Sequence, residues 1–338
     1  MDEQLHLPVA LLLLFASAGL FAKAWWGHWF YMAIFSGGAV VIVCAWLRTS
    51  LASPLNLLSA SILLFYNSDL PGRLVPFLTL SRTQATYDSF LSFADRSFGF
   101  FPSILVYNWV SQVPHLDQFF FGVYMALSIA MGACFAAHIR QGQPPWKIAL
   151  VLSVTATIGV LCYSLLPACG PLMLLGPHNF THGDSFAAGT PPALVPLAAK
   201  YPRNAVPSLH MTWALLVLWI SRDLKRGSWL AAIFACLTAI ATLSTGEHYL
   251  LDLVVAFPFA LAIWTLCIGN VPLAHPRRTL TFAGAVCAYL AWISAIRFSP
   301  ALFYASPVIP WGASLATVAG TLYVIYSQPV IAFRNAVV

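Results

Sequence analysis

RNAVPSLHMTWALLVLW, residues 203–219, sets an arginine, a proline, a serine and a histidine directly before an apolar run. STGEHYLLDLVVAF, residues 244–257, repeats the arrangement with Glu247, His248 and Asp252. Both runs have the composition of membrane helices, so the polar groups stand at helix mouths. Pro207 suits the first turn of a helix, where its missing N–H costs nothing. It predicts a helix over 207–221 with His210 in the first turn. Unpaired backbone N–H groups and the positive end of the helix dipole gather at such a start, which favours phosphate. Ser208 adds a hydroxyl donor, and Arg203 a planar guanidinium able to hold phosphate through two parallel bonds.

The second stretch carries its own start signal. Ser244-x-x-Glu247 fits a capping box, which assigns Glu247 to the cap and His248 to the first turn of the following helix. Asp252 falls four residues further on, on the same helical face. A carboxylate there can keep one ring nitrogen protonated and leave the other as nucleophile or base. If both helices start on one side of a membrane, His210, His248 and Asp252 converge.

Composition supports the membrane reading. Of 338 residues, 60% are hydrophobic and 8% charged, whereas a soluble domain carries about a quarter charged. Too little polar surface remains to coat a water-soluble globule. The net charge of +6 comes without any long basic cluster. Most Lys and Arg punctuate the apolar runs, as in membrane loops, so no nucleic-acid partner is expected. The seven cysteines show no metal-type spacing and read as small buried hydrophobes.

A spanning helix needs about 20 mostly apolar residues. Ten candidate segments follow: 7–23, 29–47, 51–66, 116–138, 147–166, 207–221, 229–244, 250–268, 280–297 and 308–326. The first follows acidic MDEQLH without a basic leader and reads as a retained helix. The expected organisation is 1–115 as N-terminal helices plus an amphipathic segment, 116–268 as catalytic core, and 269–338 as C-terminal helices. In 67–115, aromatics alternate with Asp88, Asp95 and Arg96, a pattern suited to helices lying in the interface. Residues 167–206 form a Pro- and Gly-rich loop, too long to be a simple turn. Basic residues in 139–146, 222–228 and 269–279 place those loops in the cytosol. The two long loops and the histidines then face outward, to the periplasm or an organelle lumen. Arg82, Arg96 and Arg203 lie on that side, where an anionic substrate gives them a purpose.

PSLH (207–210) followed by HYLLD (248–252) resembles the paired motifs of the type 2 phosphatidic acid phosphatase superfamily. The closer resemblance is to its branch of inositol phosphorylceramide and sphingomyelin synthases. The phosphatases typically show PSGH and SR-x5-H-x3-D. Here Leu209 replaces the glycine, Thr242 stands at the arginine position, and no K-x6-RP motif occurs. YSLLPACGP (163–171) is also similar to a segment of the synthase branch. The resemblance implies an all-α, polytopic helix bundle with a six-helix catalytic core. It implies that His248 attacks phosphorus to form a phosphohistidine, that Asp252 orients it, and that His210 serves as acid and then base. Arg203, Ser208, Arg82 and Arg96 are the candidates for holding the phosphate. No metal or other cofactor is implied, and the partners are a phospholipid donor and a lipid alcohol acceptor.

Hydrolysis of a lipid phosphate or polyprenyl pyrophosphate would use the same phosphohistidine. A transporter or channel would carry its ionisable groups mid-helix, whereas these stand at helix starts and no inverted repeat is evident. Two histidines and a carboxylate could form a metal-binding facial triad, but HExxH is absent.

Overall fold

A computed structural model describes residues 85–141, 145–182, 191–198, 201–306 and 308–328. The apolar runs 7–23, 29–47 and 51–66, together with Arg82, lie outside these residues. The described chain is helical apart from a two-residue antiparallel pairing of β1 (Ala85–Thr86) with β2 (Val195–Pro196). The helices are α1 (Asp88–Arg96), α2 (Pro102–Ser111), α3 (Leu116–Met125), α4 (Leu127–Arg140) and α5 (Pro145–Cys162). Two short ones, α6 (Pro171–Leu175) and α7 (Pro177–His182), occupy the long loop. Then come α8 (Leu209–Ser221), α9 (Lys225–Ser244), α10 (Leu250–Cys267), α11 (Pro276–Phe298) and α12 (Val308–Ser327). The expected all-α bundle is therefore what the chain forms.

Within the described residues, α10, α11, α12 and the Gly227–Ser244 part of α9 are long and apolar enough to cross a membrane. The protein is an integral membrane protein. The run expected over 116–138 is two helices, α3 and α4, bent by 45°. At the break the Ala126 N–H is shared between the carbonyls of Gly122 and Val123, at 2.9 and 3.1 Å, which tightens the last turn of α3.

The centre of the bundle is α10, whose 18 residues are 78% buried, against 28% for α11 and 22% for α12. It packs on α1, α5, α8, α11 and α12. Trp264 of α10 meets Trp219 of α8 edge-on, centroids 5.9 Å apart. Both rings are fully enclosed, and such a contact contributes about 0.5–1.5 kcal/mol beyond its buried area.

A buried helix must satisfy its end groups inside the protein, and α10 draws on neighbouring helices at both ends. At its start, the Leu250 and Leu251 amides donate to the carboxylate of Asp95 on α1. At its end, Arg278 of α11 donates to the carbonyls of Thr265, Leu266 and Val271. Each group also stands at the helix end where the dipole favours its ionised form.

This arrangement buries one face of α1 against the bundle. Asp88, Leu91, Ala94 and Asp95 are wholly enclosed, and the two carboxyl groups find backbone amides there. Two helix starts are corrected. The helix expected from Pro207 begins at Leu209, because Ser208 accepts from the Met211 amide at 3.3 Å and is itself the N-cap. Ser244, expected to open a capping box, is the last residue of α9. Gly246, at φ 70°, is in the left-handed conformation that ends helices. The cap of α10 is Tyr249, whose amide donates to Asp252 at 2.8 Å.

Candidate active site

The starts of α8 and α10 are tied together by their backbones. The Ser208 N–H donates to the Asp252 carbonyl at 3.3 Å, which brings the two motifs to one end of the bundle. His210 and His248 face each other with ring centroids 6.3 Å apart. The three residues His210, His248 and Asp252 thus form one cluster.

His248 is oriented by two acceptors. Its Nδ1 lies 3.1 Å from the Ala205 carbonyl oxygen and 3.4 Å from Asp252 Oδ2. A carbonyl can only accept, so Nδ1 carries the proton and Nε2 keeps its lone pair. His248 is 4% exposed, and burial lowers its pKa to about 4, against smaller upward effects from Glu247 and the Ala205 carbonyl. The ring is therefore neutral over the physiological range, as a nucleophile must be.

The strand of chain that carries His248 is held along its backbone. The Leu172 N–H donates to the Gly246 carbonyl at 2.9 Å, and the Ser103 hydroxyl donates to the His248 carbonyl at 2.7 Å. Gly170, at φ 111°, lies so close that a Cβ would sit 2.3 Å from the Glu247 carbonyl oxygen. Asp88 accepts from the amides of Cys169 and Gly170 and from the Tyr249 hydroxyl, at 2.8 to 3.0 Å. Burial pushes Asp95 up to about 8 and Asp88 also upward, while the amide bonds pull both down.

His210 is positioned from a different direction. Tyr124 of α3 stacks on its ring at a centroid distance of 3.8 Å and donates its hydroxyl to Glu247 at 2.5 Å. Glu247, expected to serve a cap, instead anchors the ring that lies on His210. Among the described residues, the first amides of α8, at Leu209 and His210, take no backbone partner. Ser208 uses its oxygen as an acceptor for Met211, which leaves its O–H able to donate.

The candidate cations are placed differently from the histidines. Arg203 is fully buried, and its terminal nitrogens donate to the carbonyls of Leu197, Ala198 and Tyr201, bracing the loop before α8. Arg96 lies over the Phe101 ring, 5.2 Å from its centroid. Arg82 falls outside the described residues. Thr242, at the position where the resemblance puts an arginine, turns its hydroxyl to the Thr238 and Ala239 carbonyls of its own helix at 3.0 Å.

Sequence reasoning missed Asp88, Asp95, Ser103 and Tyr124 as parts of the site. One signal was available: a chain with ten acidic residues places two of them seven apart on a nine-residue helix, which aligns them on one face.

A family model described as the PAP2 superfamily matches residues 89–266, more than half of the chain and nearly all of the span from α1 to α10. Among curated proteins and solved structures, none matches.

Proposed function

The chain belongs to the PAP2 superfamily, which makes it an enzyme of phosphatase or phosphotransferase type, and we propose that it transfers the phospho-headgroup of a phospholipid to a lipid alcohol. The observation that carries this reading is the pairing of a tautomer-fixed His248 with His210 across 6.3 Å at the start of α8. The donor's phosphate lies at the first amides of α8, with the Ser208 hydroxyl beside it. Nε2 of His248 attacks phosphorus, and the P–O bond to the diacylglycerol oxygen breaks as His210, protonated beside the bound phosphate anion, supplies that oxygen with a proton. The headgroup phosphate is then held on His248. His210 next takes the proton of the acceptor hydroxyl, whose oxygen attacks phosphorus. The P–N bond breaks and His248 is restored.

Charge favours a diester over a monoester donor. A helix start is equivalent to roughly half a positive charge, and the terminal nitrogens of Arg203 are engaged with loop carbonyls. That suits a phosphodiester monoanion better than a phosphomonoester dianion. It also suits the synthase branch, in which an inositol phosphorylceramide-like product is made. The length of α8 supports lateral entry. Its 13 residues reach about 20 Å, short of the roughly 30 Å hydrocarbon core. His210 then sits near headgroup depth on the non-cytoplasmic face, and a lipid reaches it with its tails in the membrane.

The test is product analysis by mass spectrometry with purified protein in lipid micelles. Labelled phospholipids are supplied with and without ceramide, diacylglycerol or another lipid alcohol. The expected result is a new headgroup-bearing lipid only when an acceptor is present, and none from His248→Ala. Release of phosphate regardless of acceptor would identify a hydrolase instead. Equal activity of His248→Ala and wild type would remove the phosphohistidine route altogether.

A further inference from the structure

The start of α10 is an anion site that the protein fills for itself. Amides at a helix start attract phosphate, and two such starts, those of α8 and α10, flank His248. A substrate phosphate drawn to the wrong one would lie on the Asp252 side of the imidazole, away from His210. On α10 the position is taken. Asp95 Oδ2 accepts from the Leu250 amide at 2.8 Å and Oδ1 from the Leu251 amide at 3.1 Å, while Asp252 Oδ2 accepts from the Tyr249 amide at 2.8 Å. All three leading amides of the helix are thus engaged by carboxylates that are 0% exposed.

Asp95 belongs to neither histidine motif. It comes from α1, more than 150 residues earlier in the chain. The same helix face carries Asp88, which holds the Tyr249 hydroxyl and the Cys169 and Gly170 amides. A single rigid helix therefore grips the turn that carries His248 on one side and the loop packed against it on the other. Asp252 takes the Tyr249 amide and Asp95 the next two, those of Leu250 and Leu251, so three successive amides of the turn are held.

We propose that Asp95 is a positioning residue for the transfer reaction. Its two oxygens fix the Tyr249–Asp252 turn so that Asp252 meets Nδ1 of His248, and they close the α10 start to phosphate, so that the donor is directed to α8. This inference rests on the phosphotransfer reading above. A misplacement of about 1 Å in such a site costs on the order of 100-fold in rate.

The test compares Asp95→Ala and Asp95→Asn with wild type and His248→Ala in the same micellar transfer assay. Rates are normalised to folded protein by thermal melting and size-exclusion recovery. Inorganic phosphate is added as a probe of the freed amides. Asp95→Ala is expected to lower kcat about 10- to 100-fold with KM within about twofold, and to become more sensitive to inhibition by inorganic phosphate. Asp95→Asn, which keeps one accepting oxygen, is expected to fall between it and wild type. Active wild type with Asp95→Ala at full kcat per folded molecule would overturn the inference alone. So would a loss that disappears on normalisation, since that is a purely structural effect. Wild type inactive on every lipid pair would overturn the transfer reading, and the inference with it.

Discussion

The starts of α8 and α10 look alike in sequence, each a histidine beside an apolar run, yet the protein treats them oppositely. At α8 the Ser208 cap takes the Met211 amide, and the amides of Leu209 and His210 have no backbone partner. At α10 the amides of Tyr249, Leu250 and Leu251 are all engaged by Asp252 and Asp95. One helix start keeps leading amides without a backbone partner, and the other has its amides closed by the carboxyl groups beside His248, the proposed nucleophile. Preorganisation of this kind contributes because the donors need not reorganise during the reaction.

The sharpest way to break the comparison is His210→Gln. If His210 serves only as acid and base, the variant should lose about 10²- to 10⁴-fold on an alkyl-alcohol leaving group. With a p-nitrophenyl phosphodiester, whose leaving group needs no proton, the first step should lose far less, read as the burst of p-nitrophenol. Equal losses on both substrates would make His210 a structural residue.

Acid tolerance tests the other helix start. The kcat/KM profile reports the free enzyme, and attack needs the neutral His248 ring, whose pKa burial lowers from 6.5 to about 4. In His210→Gln with the p-nitrophenyl diester, where no acid is needed, the rate should hold from neutrality down to about pH 4 and then drop tenfold per unit. A drop beginning at pH 6.5 would mean that His248 is hydrated. The same shift affects stability with a definite sign. The unfolded chain takes up this proton near 6.5 and the folded chain only near 4. The contribution of His248 therefore declines as pH falls from 6.5 to 4 and is level below.

The smallest effect should come from Ser208→Ala. Loss of the cap costs about 1 kcal/mol of stability, seen as a lower melting temperature, and KM should rise more than kcat falls if the hydroxyl also donates to the phosphate as proposed. A change confined to melting temperature would restrict Ser208 to its cap.

Much of this was legible without coordinates. The spacing of His248 and Asp252 is local, and local spacing survives folding: the two meet at 3.4 Å as i,i+4 partners. The apolar runs 250–268 and 308–326 became α10 and α12 nearly residue for residue, because lipid demands long uninterrupted helices. Boundaries were less secure. Ser244 carries a cap-like spacing to Glu247, but Gly246 intervenes with a left-handed turn, so the same residues end one helix instead of opening the next. Nothing in the spacing could show that Tyr124 stacks on His210 or that Ser103 holds the His248 carbonyl, since those partners are separated by many residues.

Sequence by itself determined the solvent, the helical class and which residues are the candidates for chemistry. These depend on composition, on periodicity and on residues no more than four apart. Only the tertiary structure decided how the charged groups divide their labour. Arg203, a natural phosphate ligand on paper, braces loop carbonyls. Asp88 and Asp95, which looked like the polar face of an interfacial helix, lie at 0% exposure against backbone amides. The physical reason is that a buried carboxylate or guanidinium must be hydrogen-bonded wherever the fold places it, and the partners it finds are backbone groups, which every residue carries and no sequence pattern marks.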